Sequence, residues 1–171
     1  DTRQILLRTT ADITDSQTAA LEGLFDSQGD FVVEDKMLSE GLSYVWTWSG
    51  SYGMKASAFV NDTNLPSESW LISPAIDLSQ LTSATLTFEQ AGNKFFSEKC
   101  ENYCSVMVST DRENWTPLKL NVWPEGNSWD FYTSTANLSA YAGQSTVYIA
   151  FKYTSTSSTA GTWEVKNVVV E

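Results

Sequence analysis

The sequence predicts an all-β sandwich, and three observations carry that prediction. Apolar residues recur with a period of two, turn clusters interrupt the chain at short intervals, and one long apolar run ends on a proline. That run is Trp70-Leu71-Ile72-Ser73-Pro74-Ala75-Ile76-Asp77-Leu78-Ser79. Trp70 and Ile72 alternate with Leu71 and Ser73, as in a strand buried on at least one face. Pro74 removes a ladder donor and so belongs at the strand's end. The chain leaves its sheet there and turns a sandwich corner, with Trp70 as a core anchor and Asp77 closing the turn.

The other elements follow in chain order. Ile5-Leu6-Leu7 reads as a strand, either the first edge of the sandwich or the tail of a preceding module. Asp15 to Phe25 is the one helical candidate, carrying Ala19, Ala20, Leu21, Leu24 and Phe25 behind an N-cap at Thr14 or Asp15, although Gly23 weakens it. Leu86 and Phe88 alternate with Thr85 and Thr87, and Val106 and Val108 alternate with Ser105, Met107 and Ser109. Val147, Ile149, Phe151 and Tyr153 alternate with Tyr148, Ala150, Lys152 and Thr154. Between them lie the turn clusters Asn61-Asp62-Thr63-Asn64, Asp111-Arg112-Glu113-Asn114, Pro124-Glu125-Gly126-Asn127 and Ser155 to Gly161. The spacing suits a sandwich of roughly ten strands rather than βαβ units. No linker or repeat divides the chain, so one domain is expected over residues 1–171, with 1–25 its least constrained part.

Composition narrows the function. The 171 residues can bury roughly 70% of the surface that the unfolded chain would expose, so no disulfide scaffold is required. Ten Lys and Arg against 21 Asp and Glu leave a net charge of −11, which opposes nucleic acid and anionic membranes as partners. No apolar run approaches the eighteen or so residues of a membrane-spanning helix. Asp1-Thr2-Arg3-Gln4 lacks the basic start of a signal peptide, which favours a processed chain or one excised from a longer one. The acidic, Ser/Thr/Asn-rich composition suits an exported bacterial protein.

Cys100 and Cys104 would lie roughly 13 Å apart on a strand, beyond the reach of a disulfide. They can bond only if the chain turns between them, and Glu101-Asn102 permits such a turn. A loop-closing disulfide and a pair of free thiols both stay open. With no His in the chain, a zinc site is disfavoured and Ser-His-Asp or Cys-His nucleophile systems are excluded from a self-contained site. Carboxylate chemistry remains, through residues such as Glu89, Glu98, Glu101 and Glu164, but their spacing selects no pair for glycoside hydrolysis.

Seven tryptophans raise the question of sugar binding, because an aromatic face can stack on the apolar face of a pyranose. Trp46, Trp70 and Trp163 lie within strand patterns and read as structural. Trp115 is expected to pack beneath its hairpin. Loop aromatics are harder to explain by packing, so the candidate ligand-binding residues are Trp48, Tyr52, Phe95, Phe96, Trp123 and Trp129.

An ordered set of motifs adds a resemblance. Val45-Trp46, Tyr52 to Phe59, Trp70 to Leu78, Leu86 to Glu89, Val108 to Asp111 with Trp115-Thr116, Asn137 to Tyr141, Ile149 to Tyr153 and Thr162 to Val168 together resemble the choice-of-anchor J family, related to the cleaved adhesin domains. The resemblance covers roughly Gly29 to Glu171. It implies a jelly-roll sandwich of the galactose-binding-like type, carried on secreted or outer-membrane-attached proteins of Gram-negative bacteria, with neighbouring domains and no catalytic activity. It also implies structural calcium, held by an acid near the first core strand and an Asp in the closing strand. This chain departs at both places, with Val32 after Asp30-Phe31 and Lys166 in Trp163-Glu164-Val165-Lys166-Asn167. An ammonium at 166 would stand in for the cation's charge, leaving Glu34, Asp35 and Glu164 as candidates for a site elsewhere.

The expectation is a non-catalytic binding or adhesion module, requiring no cofactor, that recognises a glycan or a host or matrix protein. The alternatives are a structural spacer without a ligand and a carboxylate-based glycoside hydrolase.

Overall fold

A computed structural model describes residues 19–171. Thirteen strands and three short 3-10 turns make up its regular structure, and two antiparallel sheets form a β-sandwich. The strands are β1 (Leu21–Gly23), β2 (Val32–Leu38), β3 (Trp46–Trp48), β4 (Met54–Ser57), β5 (Phe59–Val60), β6 (Thr63–Asn64) and β7 (Ser67–Ile72). They continue with β8 (Thr85–Asn93), β9 (Cys104–Ser109), β10 (Thr116–Pro117), β11 (Tyr132–Asn137), β12 (Tyr148–Ser155) and β13 (Thr162–Val170). One sheet runs β11-β8-β13-β4-β3, with β1 also paired to β13; the other runs β10-β9-β12-β7-β2, and β5 and β6 form a separate hairpin.

The N-terminal expectation changes. Ile5-Leu6-Leu7 and the first part of the helical candidate lie outside the described residues, but Leu21–Gly23 is a strand paired with Val168–Val170. β4 covers only Thr162–Val165 on its side of β13, so the donors and acceptors farther along are free to capture another strand. Gly23 makes the fit: a Cβ there would lie 2.7 Å from the Phe31 ring. A long-range edge overrides the local helical pattern. Short strands such as β1, β5, β6 and β10 account for the excess over ten.

The sandwich core is aromatic at its centre. Phe88 meets Phe151 edge-on at 5.2 Å, and Trp163 contacts Phe151 at 5.9 Å and Trp46 at 5.6 Å between ring centroids. Burying Trp163 also buries its indole N–H, which donates to Gln90 Oε1 at 2.8 Å. Gln90 Nε2 donates in turn to Ser134 Oγ at 2.8 Å, and Ser134 donates to the Val122 carbonyl at 3.0 Å. The buried amide is thereby satisfied, as a polar group in an apolar core must be.

The run that marks the corner is buried on both faces. Leu71 points into the sandwich core, whereas Trp70 and Ile72 form a second cluster with Ala150 on the outer face of the five-stranded sheet. Trp70 is therefore an anchor of that outer cluster and not of the main core. Trp115 meets it edge-on at 5.3 Å, and the Lys36 and Lys152 ammonium groups lie 5.6 and 5.5 Å from its ring. At the corner, Ile76 forms an isolated bridge to Val147 and the Asp77 carboxylate accepts the Ser79 N–H at 2.9 Å. None of the described helices is long and apolar enough to cross a membrane.

Candidate functional site

Where β4 and β8 end and β13 begins, the register brings Ser57, Asn93 and Thr162 side by side. Loops rise around this end of the six-stranded sheet and enclose a groove of about 340 Å³ lined by Ser57, Phe59, Asn64, Lys94, Phe96, Trp129, Ala160 and Thr162. Phe59, Phe96 and Trp129 come from three different loops or hairpins and are 50%, 76% and 49% exposed. Among the described residues, Lys94 is the one charged residue in the lining, which contains no Asp or Glu.

The exposure of Phe96 has a local cause. Lys94 and Phe96 both have positive φ, 68° and 57°, and stand on either side of Phe95. Left-handed backbone at a non-glycine residue costs about 1–3 kcal/mol and persists only where its surroundings enforce it. Burial of Phe95 enforces it here: its ring is 1% exposed and rests on Gly161, while its N–H donates to the Gly126 carbonyl at 2.9 Å. Asn93 Oδ1 accepts the Lys94 N–H at 2.7 Å. With Phe95 pointing inward, the twisted backbone turns Phe96 out.

The other walls are also positioned locally. Asn61 and Asp62, with φ of 50° and 60°, make the tight turn between β5 and β6 that carries Phe59 and Asn64. Asn64 Nδ2 donates to the Ser158 carbonyl at 3.3 Å, tying this hairpin to the 156–161 loop. Ser128 N–H donates to the Gly92 carbonyl at 3.4 Å, and Ser128 Oγ accepts the Asp130 N–H at 3.0 Å, holding the Trp129 turn against β8.

The expected ligand-binding residues fall in several places. Phe96 and Trp129 share the groove. Phe95, expected at the surface, belongs to the core, because the turn that exposes one phenylalanine must bury its neighbour. Trp123 is half-buried and tilted against Trp163 at 6.0 Å, and it lines a separate recess with Lys99, Glu101, Pro124 and Glu125. Trp48 lines another recess, of about 330 Å³, with Asp26, Ser51, Lys166 and Asn167, and its indole N–H donates to the Phe25 carbonyl at 2.8 Å. Tyr52 is 56% exposed and lies in the 3-10 turn Gly50–Tyr52, outside that lining. Gly53 seats this turn, since a Cβ there would stand 2.3 Å from the Val165 carbonyl oxygen. Sequence reasoning missed Phe59; the available signal was an aromatic two residues before an Asn-Asp turn.

The candidate metal ligands are already engaged or apart. Glu34 accepts from Lys36 at 3.0 Å and from Arg112 at 2.8 Å, and these contacts, the Lys36 hydrogen bond foremost, hold its carboxyl below the usual range. Asp35 accepts the Ser69 hydroxyl at 2.6 Å. Glu164 is buried, with Oε1 unpartnered among the described residues; burial raises its carboxyl against the opposing pull of Lys55 and Lys166. Lys166, where calcium-binding relatives would carry Asp, donates to the Ser51 carbonyl at 3.4 Å and lies 4.2 Å from the Phe131 ring. No group of three or more His, Cys, Asp or Glu side chains suited to a metal occurs among the described residues. This donor set does not fit calcium at the expected position.

The chain does turn between the cysteines, through the 3-10 turn Cys100–Asn102, yet the structure holds both thiols free and buried. Burial pushes the Cys104 thiol well above the ordinary range, helped by its hydrogen bond with Cys100. Of the two alternatives left open, this structure carries the pair of free thiols. The hydrolase candidates are scattered: Glu89 accepts from Asn167 at 2.8 Å, Glu98 from the Tyr103 hydroxyl at 3.3 Å, Glu101 borders the Trp123 recess, and none lines the aromatic groove.

No family model matches the chain, and no curated protein matches it. Among solved structures, it is similar to the K3 cleaved adhesin domain of Lys-gingipain from Porphyromonas gingivalis W83, with a TM-score of 0.65 and 16% identity, covering 90% of this chain and 97% of that one. The K2 cleaved adhesin domain of Lys-gingipain gives 0.61 and 17%, covering 88% and 97%. TmCBM61, solved in complex with beta-1,4-galactotriose, gives 0.55 and 10%, covering 91% and 99%. At these identities the likeness concerns the fold, and this chain has the β-sandwich shared by cleaved adhesin domains and TmCBM61.

Proposed function

We propose that this chain is a non-catalytic glycan-binding module of the choice-of-anchor J and cleaved adhesin type, carried on a secreted or surface-attached protein of a Gram-negative bacterium. The observation that carries the reading is the convergence of Phe59, Phe96 and Trp129, three exposed rings from separate segments, on one groove with Asn64, Thr162 and Lys94 beside them. Exposed rings lose free energy to water, and a pyranose offers them an apolar face while its hydroxyls meet the polar wall. Similarity to a fold solved with a bound galactotriose supports the glycan class. The absence of Asp and Glu from the lining supports binding over hydrolysis, which needs two carboxylates across one cleft. No cofactor enters this reading.

A glycan-array screen followed by tryptophan-fluorescence titration tests it. Saturable binding that Trp129→Ala weakens about tenfold supports the module. Binding of a host or matrix protein alone moves the ligand class, and no response to any glycan or matrix ligand leaves a structural spacer. Turnover of a bound glycan that a single Glu→Gln change removes would overturn the non-catalytic reading.

A further inference from the structure

We infer that the groove prefers an acidic glycan, one whose sugar ring carries a carboxylate; this selectivity rests on the glycan reading above. The protein as a whole repels anions, with a net charge of −11, yet the groove inverts that balance: among the described residues its lining includes one basic residue, Lys94, and no Asp or Glu. The other cations near rings are occupied within the protein. Lys36 and Lys152 lie over Trp70, Lys166 over Phe131 and Arg112 over Tyr148, and Lys36 and Arg112 also pair with Glu34. Lys94 makes neither kind of contact among the described residues.

Its position is also specified. The left-handed backbone at 94 and the cap from Asn93 fix where the side chain departs, one residue before the buried Phe95 and two before the exposed Phe96. Lys94 thus lines the groove together with Phe59, Phe96 and Trp129. A sugar stacked on Phe96 and Trp129 presents its ring substituents at its edge, where an ammonium would meet a carboxylate. A neutral sugar leaves that ammonium with hydroxyl groups alone. Glycan hydroxyl donors are commonly met by carboxylate acceptors, and this lining supplies none.

Because Lys94 is exposed, the preference is modest and salt-sensitive: an exposed ion pair corresponds to about threefold to fivefold in affinity at low salt. The test titrates the protein with hexuronate oligosaccharides and with their carboxyl-reduced neutral counterparts, at ionic strengths of about 0.01 M and 1 M. The wild type is compared with Lys94→Gln and with Lys119→Gln, an exposed control outside the groove. The expected result is tighter binding of the acidic member of each pair, a ratio that collapses at high salt and in Lys94→Gln but persists in Lys119→Gln. Equal affinity for both members in the wild type overturns the acidic preference while the glycan reading stands. Binding to both members that Trp129→Ala leaves intact places the site elsewhere and overturns the reading beneath it as well.

Discussion

Phe95 rests on Gly161 so closely that a Cβ at 161 would stand 2.4 Å from the ring. This contact couples the core to the groove, because the burial of Phe95 is what turns Phe96 outward. Gly161→Ala is expected to displace the ring and cost about 1–3 kcal/mol, as overpacking does. Glycan affinity should fall with it, measured by urea unfolding and titration on the same sample. Phe96→Ala, by contrast, should lower affinity with little change in unfolding.

The tryptophans near the 123–129 loop should separate stability from binding. Trp129 is exposed in the groove, so Trp129→Ala should reduce glycan affinity about tenfold, or about 1.4 kcal/mol, and leave the melting temperature nearly unchanged. Trp123 packs on Trp163, so Trp123→Ala should destabilise the fold by about 2–3 kcal/mol. The opposite partition, read by calorimetry and titration, would move the site to the Trp123 recess.

Glu164 carries a cost that pH can remove. Burial raises its carboxyl above the ordinary value of about 4.3, so its ionised form opposes folding at neutral pH and that penalty vanishes as pH falls below the unfolded value. Glu164→Gln should therefore be more stable than wild type near pH 7, with the advantage lost near pH 3. Urea denaturation at the two pH values reads the difference, and a less stable variant at neutral pH would mean that Lys55 and Lys166 outweigh burial.

The buried thiols should be silent until the sandwich opens. Native protein is expected to resist a thiol reagent near neutral pH, and unfolding should release two reactive groups. Burial and the neighbouring Cys100 raise Cys104, so its stabilising contribution is present below the ordinary thiol value of about 8.5 and is lost as pH rises beyond it. Thermal melting across that range should show the decline. No reactive thiol after unfolding would mean that the cysteines are joined.

Among the described residues Glu34, Asp35 and Glu164 form no cluster suited to a metal, so chelation should leave both melting temperature and glycan affinity unchanged. A drop in melting temperature with a chelator, restored by calcium, would show that a cation assembles them.

The sequence by itself determined the sandwich. Period-two strands, the Pro74 corner and the turn clusters are local consequences of pleat geometry and backbone chemistry, and β8, β9 and β12 keep over part of their length the alternation that announced them. It also pointed to Phe96 and Trp129 as loop aromatics without a packing role. Tertiary structure alone decided which rings share a surface. Phe95 and Phe96 are identical neighbours, and only long-range contacts with Gly161 and Gly126 bury one and expose the other. Trp123 found Trp163 across 40 residues, Leu21–Gly23 became a strand because β13 offered a free edge, and Phe59 reached the groove through a hairpin remote from Trp129. Alternation records which face of a strand is apolar; a groove is an agreement among distant loops, and pairwise distance is not written in local periodicity.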